Sequence, residues 1–172
     1  MILTHRLKLG LVGLLCGLTL PAQALCHLCT MVVAKESDLR FGSMIVISPG
    51  MLTLAPETGL RAGTASVVTP TSFNSSTGPA AFRVTCVGAG NLSYQVAVVS
   101  SPISLNTSAS AMPIGNFLTS PAASIERQVN NCLTYSEIVY VGATLTLGAY
   151  QSPGSYSQVS DITLEVRITA NQ

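Results

Sequence analysis

The sequence predicts an all-β fold, a sandwich of two antiparallel sheets, on three observations. Short apolar or alternating runs recur along the chain in place of helical stripes. Turn-forming Pro, Gly, Asn and Ser separate those runs. Apolar residues make up 48% of the chain and charged residues 9%, the reverse of the balance that keeps a polypeptide disordered.

The elements follow in order. His5, Arg6 and Lys8 precede the apolar run LGLVGLLCGLTL at 9–20, which ends in PAQA, the pattern of a secretory signal peptide over residues 1–24. That run is 12 residues long, and a bilayer needs about 20 per helix, so no membrane anchor is expected. Cleavage after Ala24 leaves 148 of the 172 residues, enough for one domain with a single core. The mature part is divided into an N-terminal tail, 25–36, and a β-sandwich domain, 37–172. Six Lys and Arg stand against seven Asp and Glu after residue 24, so no basic patch invites nucleic acid.

Strands are expected at MIVIS (44–48), MLTLA (51–55), TASVVT (64–69), AAFRVTCV (80–87), YQVAVV (94–99), IVYVGATLTLGAY (138–150) and DITLEVRIT (161–169). PETG, PTSFNSSTGP, SSPISLNTSASAMP, TSPAAS and QSPGSY read as the connections, because proline denies ladder donors and glycine sets turns. SIERQVNNC (124–132) is the one place for a helix, and then only a short turn. The period of two puts Ile162, Leu164, Val166 and Ile168 on one face of the last strand, with Asp161, Thr163, Glu165 and Arg167 on the other. Asp161 and Glu165 then stand about 13 Å apart, too far for paired acid/base carboxylates.

In AAFRVTCV, Arg83 must reach water, which turns Phe82, Val84 and Cys86 inward. An inward cysteine in an exported domain calls for a disulfide partner. Cys26, Cys29, Cys86 and Cys132 allow three connectivities. The preferred one is Cys86 with Cys132 and Cys26 with Cys29; the rivals tie the tail to the core through Cys86 or Cys132. The Cys26-His27-Leu28-Cys29 motif is read as a small staple. A thioredoxin-like site would place it between a strand and a helix of an α/β chain, and here it precedes an all-β pattern.

The remaining chemistry is excluded by what the chain lacks. His27 is the only histidine after residue 24, so a nucleophile triad would rest on the tail. A zinc site would need Cys26, His27 and Cys29 with a fourth ligand. Neither GxxxxGK[ST] nor GxGxxG occurs, and VGAGN (87–91) reads as a turn. No catalytic residue, cofactor or metal is expected.

SDLRFGSM (37–44), AAFRVTCVGAGNLSYQVAV, MPIGNF, VYVGATLTLGA and GSYSQVSDITLEVRI, in that order, resemble a family of exported bacterial proteins known as a domain of unknown function. The resemblance spans about residues 37–169, and the family is similar to spore coat U-type proteins and chaperone-usher fimbrial subunits. This chain departs from the pattern at Cys86, where glycine is common, in its CHLC tail, and in lacking a final tyrosine. The resemblance implies an immunoglobulin-like, pilin-like sandwich, secreted to the periplasm, the cell surface or beyond, and acting as a structural or adhesive unit. It also implies self-assembly or related subunits as partners, with a periplasmic chaperone and an outer-membrane usher. Within this frame Leu28, Thr30, Met31, Val32 and Val33 form an apolar, β-branched segment suited to donation as a strand to a neighbouring subunit. The alternative is that the segment is the first strand of its own sandwich. The rival in function is an exported thiol-disulfide redox protein that uses Cys26 and Cys29.

Overall fold

The computed structural model describes residues 29–70, 76–99, 103–106, 111–149, 157–158 and 162–171. These residues form an all-β fold of antiparallel strands. The strands are β1 (Thr30–Ser37), β2 (Ile45–Ser48), β3 (Gly50–Leu54), β4 (Arg61–Gly63), β5 (Ser66–Val68), β6 (Ala80–Val87) and β7 (Leu92–Val99). They continue as β8 (Ile103–Asn106), β9 (Ala111–Ser120), β10 (Arg127–Val129), β11 (Ser136–Leu147), β12 (Ser157–Gln158) and β13 (Thr163–Asn171). Among the described residues the one helical element is a 3-10 turn, Cys132–Thr134. No helix there is long and apolar enough to cross a membrane.

The largest sheet runs β1-β6-β11-β9-β8-β12, with β3 also on β11 and β4 on β3. β11 is its spine. Residues 136–141 pair with β6 and residues 143–147 pair with β3. β9 takes up the opposite edge. Gly142 stands at the handover from β6 to β3, where a Cβ would fall 2.1 Å from the Leu54 carbonyl oxygen and 2.9 Å from the Pro56 nitrogen. Only a residue without a side chain lets the backbone after β3 approach that closely. A second sheet runs β10-β7-β13, and β2 pairs with β5.

One core draws on both of the larger sheets. Leu52, Leu54, Phe82, Val84, Val139, Val141 and Leu145 come from the first, and Leu92, Tyr94, Val96 and Leu164 from the second. β6 keeps its expected faces, with Phe82, Val84 and Cys86 buried and Arg83 half-exposed. β13 keeps its own only over its first half: Ile162 and Leu164 are buried, whereas Ile168 is 41% exposed. A register shift follows between Ile168 and Ala170.

Two segments read as connections, and the one read as a short helical turn, contain strands. The stretch 100–113 holds β8 and the start of β9, and β9 continues into 119–120 of TSPAAS. SIERQVNNC contributes β10 and only then enters the 3-10 turn at Cys132. β4, in the gap between two expected strands, was also not predicted. VGAGN is the turn expected of it, with Gly88 and Gly90 at φ 119° and 132°, values that suit glycine.

Candidate functional site

β1 enters the sheet from Cys29. Its register against β6 puts Met31 opposite Cys86 and Thr30 opposite Val87. Residues 29, 31 and 33 share a face by the period of two, and that face turns inward: Cys29 is buried, and Met31 and Val33 are partly buried against the core. Cys29 is therefore a diagonal, same-face neighbour of Cys86, within reach of its side chain.

Cys132 is brought to the same spot by backbone hydrogen bonds. Its N–H donates to the Gly90 carbonyl at 3.1 Å, and the Cys86 N–H donates to the Tyr135 carbonyl at 3.3 Å. Asn131 caps the 3-10 turn through its side chain, which accepts from the Leu133 N–H. Cys86 and Cys132 form a disulfide, with their Cα atoms 4.9 Å apart. Cys29 is a buried free thiol whose Sγ donates to the Ala89 carbonyl at 3.1 Å. All three sulfurs lie within 4.8 Å of one another. As a ligand set for a soft metal the cluster would need the disulfide reduced, because two of its sulfurs are bonded to each other.

The structure thus brings together three of the four cysteines singled out in the sequence. Cys26, His27 and Leu28 lie outside the described residues, and the expected Cys26–Cys29 pairing lies outside them too. Thr30, Met31, Val32 and Val33 lie in β1, hydrogen-bonded to β6 of the same chain, the alternative to donation. β1 is the outermost strand of the sheet. On its outer face Arg83 of β6 bonds Glu36 of β1 and, at 3.2 Å, the Ser136 hydroxyl of β11. Such an exposed pair adds little stability, though it fixes the register of three strands. Asp161 lies outside the described residues, and Glu165 pairs with Arg167 at 3.5 Å on an exposed face.

A second polar cluster was not legible in the sequence. Arg127 of β10 is buried, pairs with Glu137 of β11 at 3.1 Å, and lies over the Tyr94 ring of β7 at 5.7 Å. Its remaining donors reach the Pro121 and Ile125 carbonyls at 2.8 and 3.2 Å. The Tyr94 and Tyr135 hydroxyls are 2.8 Å apart, and both lie within hydrogen-bond distance of Glu137 Oε2. Two hydroxyl protons serve three such contacts, so one tyrosine donates to the carboxylate and the other to its fellow hydroxyl. No spacing rule connects four residues on three strands and a turn, which only the packing of the second sheet against β11 brings together. The arrangement satisfies itself and pins the 120–125 connection to the second sheet.

Burial, followed by the hydrogen bond to Glu137, holds the Tyr94 hydroxyl far above the usual tyrosine range; burial is also the main cause of the upward shift at Tyr135. A group whose pKa rises on folding supports the fold fully below its unfolded value and loses that support above it. Unfolded tyrosine ionises near pH 10 while folded Tyr94 keeps its proton, so stability is expected to fall as pH rises beyond about 10. Urea melts between pH 9 and 11.5, compared with those of Tyr94→Phe, test this. The wild type should lose stability more steeply than the variant, and equal slopes overturn the assignment.

No curated protein and no solved structure matches the chain. Residues 31–166, from the second residue of β1 into β13, match the family model described as a domain of unknown function, DUF4402, and the chain belongs to that family.

Proposed function

We propose that the protein is an exported, non-enzymatic structural or adhesive surface unit, built as an immunoglobulin-like sandwich, that assembles by strand addition with β1 as the exchanged strand. The observation that carries this reading is the position of β1: an eight-residue strand, the first among the described residues, at a sheet edge and paired with β6 alone in its sheet. Its inward residues Met31 and Val33 fill positions that the same strand of another copy would fill equally well. Exchange of an identical element between copies conserves every native contact and is a low-cost route to assembly. The seven-residue connection 38–44 between β1 and β2 is the hinge on which β1 would swing out. A periplasmic chaperone and an outer-membrane usher are the partners this mode of assembly calls for, and no cofactor, nucleic acid or membrane anchor enters it.

Deleting residues 25–35 tests the reading. The truncated chain should fold when given the segment as a peptide and should no longer form the oligomers of the full chain, as followed by size-exclusion chromatography and circular dichroism. A full chain that stays monomeric at high concentration, with a truncated form that the peptide does not rescue, overturns strand addition and leaves a self-contained surface domain.

The free Cys29 thiol beside a disulfide favours a second reading, an exported thiol-disulfide redox protein using Cys26 and Cys29. Catalytic turnover in insulin reduction would establish it in place of the structural role.

A further inference from the structure

We propose that Cys29 and the Cys86–Cys132 disulfide form an intramolecular thiol-disulfide exchange centre that converts β1 from a hydrogen-bonded strand into a covalently locked one. The three sulfurs lie within 4.8 Å of one another, and all three residues are buried. A thiol so placed meets its own chain's disulfide before any solute, because burial limits external oxidants and reductants while leaving the neighbour within reach.

The register explains why the partner is Cys86 or Cys132. Cys29 continues the inward face of β1 past Met31, which lies opposite Cys86, and Cys132 is bonded to Cys86 across the turn. The Cys29 hydrogen bond to the Ala89 carbonyl holds its proton on the side of the β6–β7 turn. Loss of that proton to solvent base frees Sγ to rotate onto the disulfide.

The step balances without any added oxidant. The Cys29 thiolate attacks Sγ of Cys86, the Cys29–Cys86 bond forms, the Cys86–Cys132 bond breaks, and Cys132 leaves as a thiolate that takes up a proton. Attack on Cys132 is the mirror case and releases Cys86. One disulfide and one thiol are present before and after, so the number of oxidised cysteines does not change. What changes is the topology. With Cys86 bonded to Cys132, β1 is held only by its ladder and side chains; after exchange its leading end is bonded to the domain and cannot leave β6. The lock acts on β1 of the same chain and does not require strand addition.

The test uses the full chain with Cys16→Ser and Cys26→Ser, which leaves Cys29, Cys86 and Cys132 as its only cysteines. The oxidised, folded protein is incubated without added thiol at pH 7.5 and 8.5, acid-quenched, alkylated and mapped by mass spectrometry. The expected result is a growing fraction of molecules with Cys29 joined to Cys86 or Cys132 and one alkylated thiol on the displaced cysteine. Formation should be faster at the higher pH, as attack by a thiolate requires. Adding Cys29→Ser should abolish it and leave Cys86–Cys132 intact. A urea-unfolded sample serves as the clock: if Cys29 stays fully alkylated in the folded protein over the time in which the unfolded chain scrambles, the proposal is overturned.

Discussion

Replacing Cys86 and Cys132 together by serine is expected to destabilise the domain by about 4 kcal/mol, the loop-closure value for a separation of 46 residues. The bond fastens the end of β6 to the turn that leads into β11, so its loss frees the unfolded chain over a third of the described fold. At a midpoint shift of about 2 to 4 °C per kcal/mol for a chain of this size, the melting temperature should fall by roughly 8 to 16 °C. Cys29→Ser should cost much less, since no covalent loop opens. Urea titration of the two variants beside the wild type measures both values. A double variant within about 1 kcal/mol of wild type would show that the disulfide constrains a chain already ordered there by other contacts.

Arg127→Met is expected to cost about 3 kcal/mol, the lower end of the range for removing one partner of a buried ion pair. The methionine fills much of the volume, so the loss is electrostatic: Glu137 keeps its charge without the guanidinium, and the Pro121 and Ile125 carbonyls lose their donors. One tyrosine hydroxyl still donates to Glu137, and its carboxylate is only partly buried, which keeps the cost from the upper end. Because the unpaired charge is the main penalty, Arg127→Met with Glu137→Gln should be more stable than Arg127→Met alone. If the two substitutions add, the pair is a surface-like contact and its burial contributes nothing.

Two classes of feature were legible in the sequence. Period-two alternation marked β6 to the residue, and its phase put Cys86 in the core beside a partner, because one charged residue, Arg83, decides which face meets water. Strongly apolar runs likewise gave β3, β7 and β11 to within a few residues. β8 and β9 were missed because Pro102, Pro113 and a Ser-rich composition hid them; Pro113 is tolerated where β9 needs no ladder donor at that position. The Arg127 cluster left no local signal, since only packing between the two sheets brings β11 to β7 and β10. The register that brings Cys29 to the disulfide was also hidden, because the tail's inward phase depends on which strand it pairs with.

The position of β11 as spine also dictates a timetable. β6, β3 and β9 all complete their ladders on residues 136–147, and Cys132 arrives only just before them. At about 5 to 20 residues per second, the ribosome needs roughly 5 to 20 seconds between emitting β1 and emitting β11. Through that interval only pairings between strands already made, such as β1 with β6, β3 with β4 and β8 with β9, are available. The nascent chain therefore carries most of its strands with a free edge until its last quarter is synthesised, and it commits to its fold late and nearly all at once. A chain built in this order presents open strand edges through most of its synthesis, and each stays able to accept a further strand until β11 closes it.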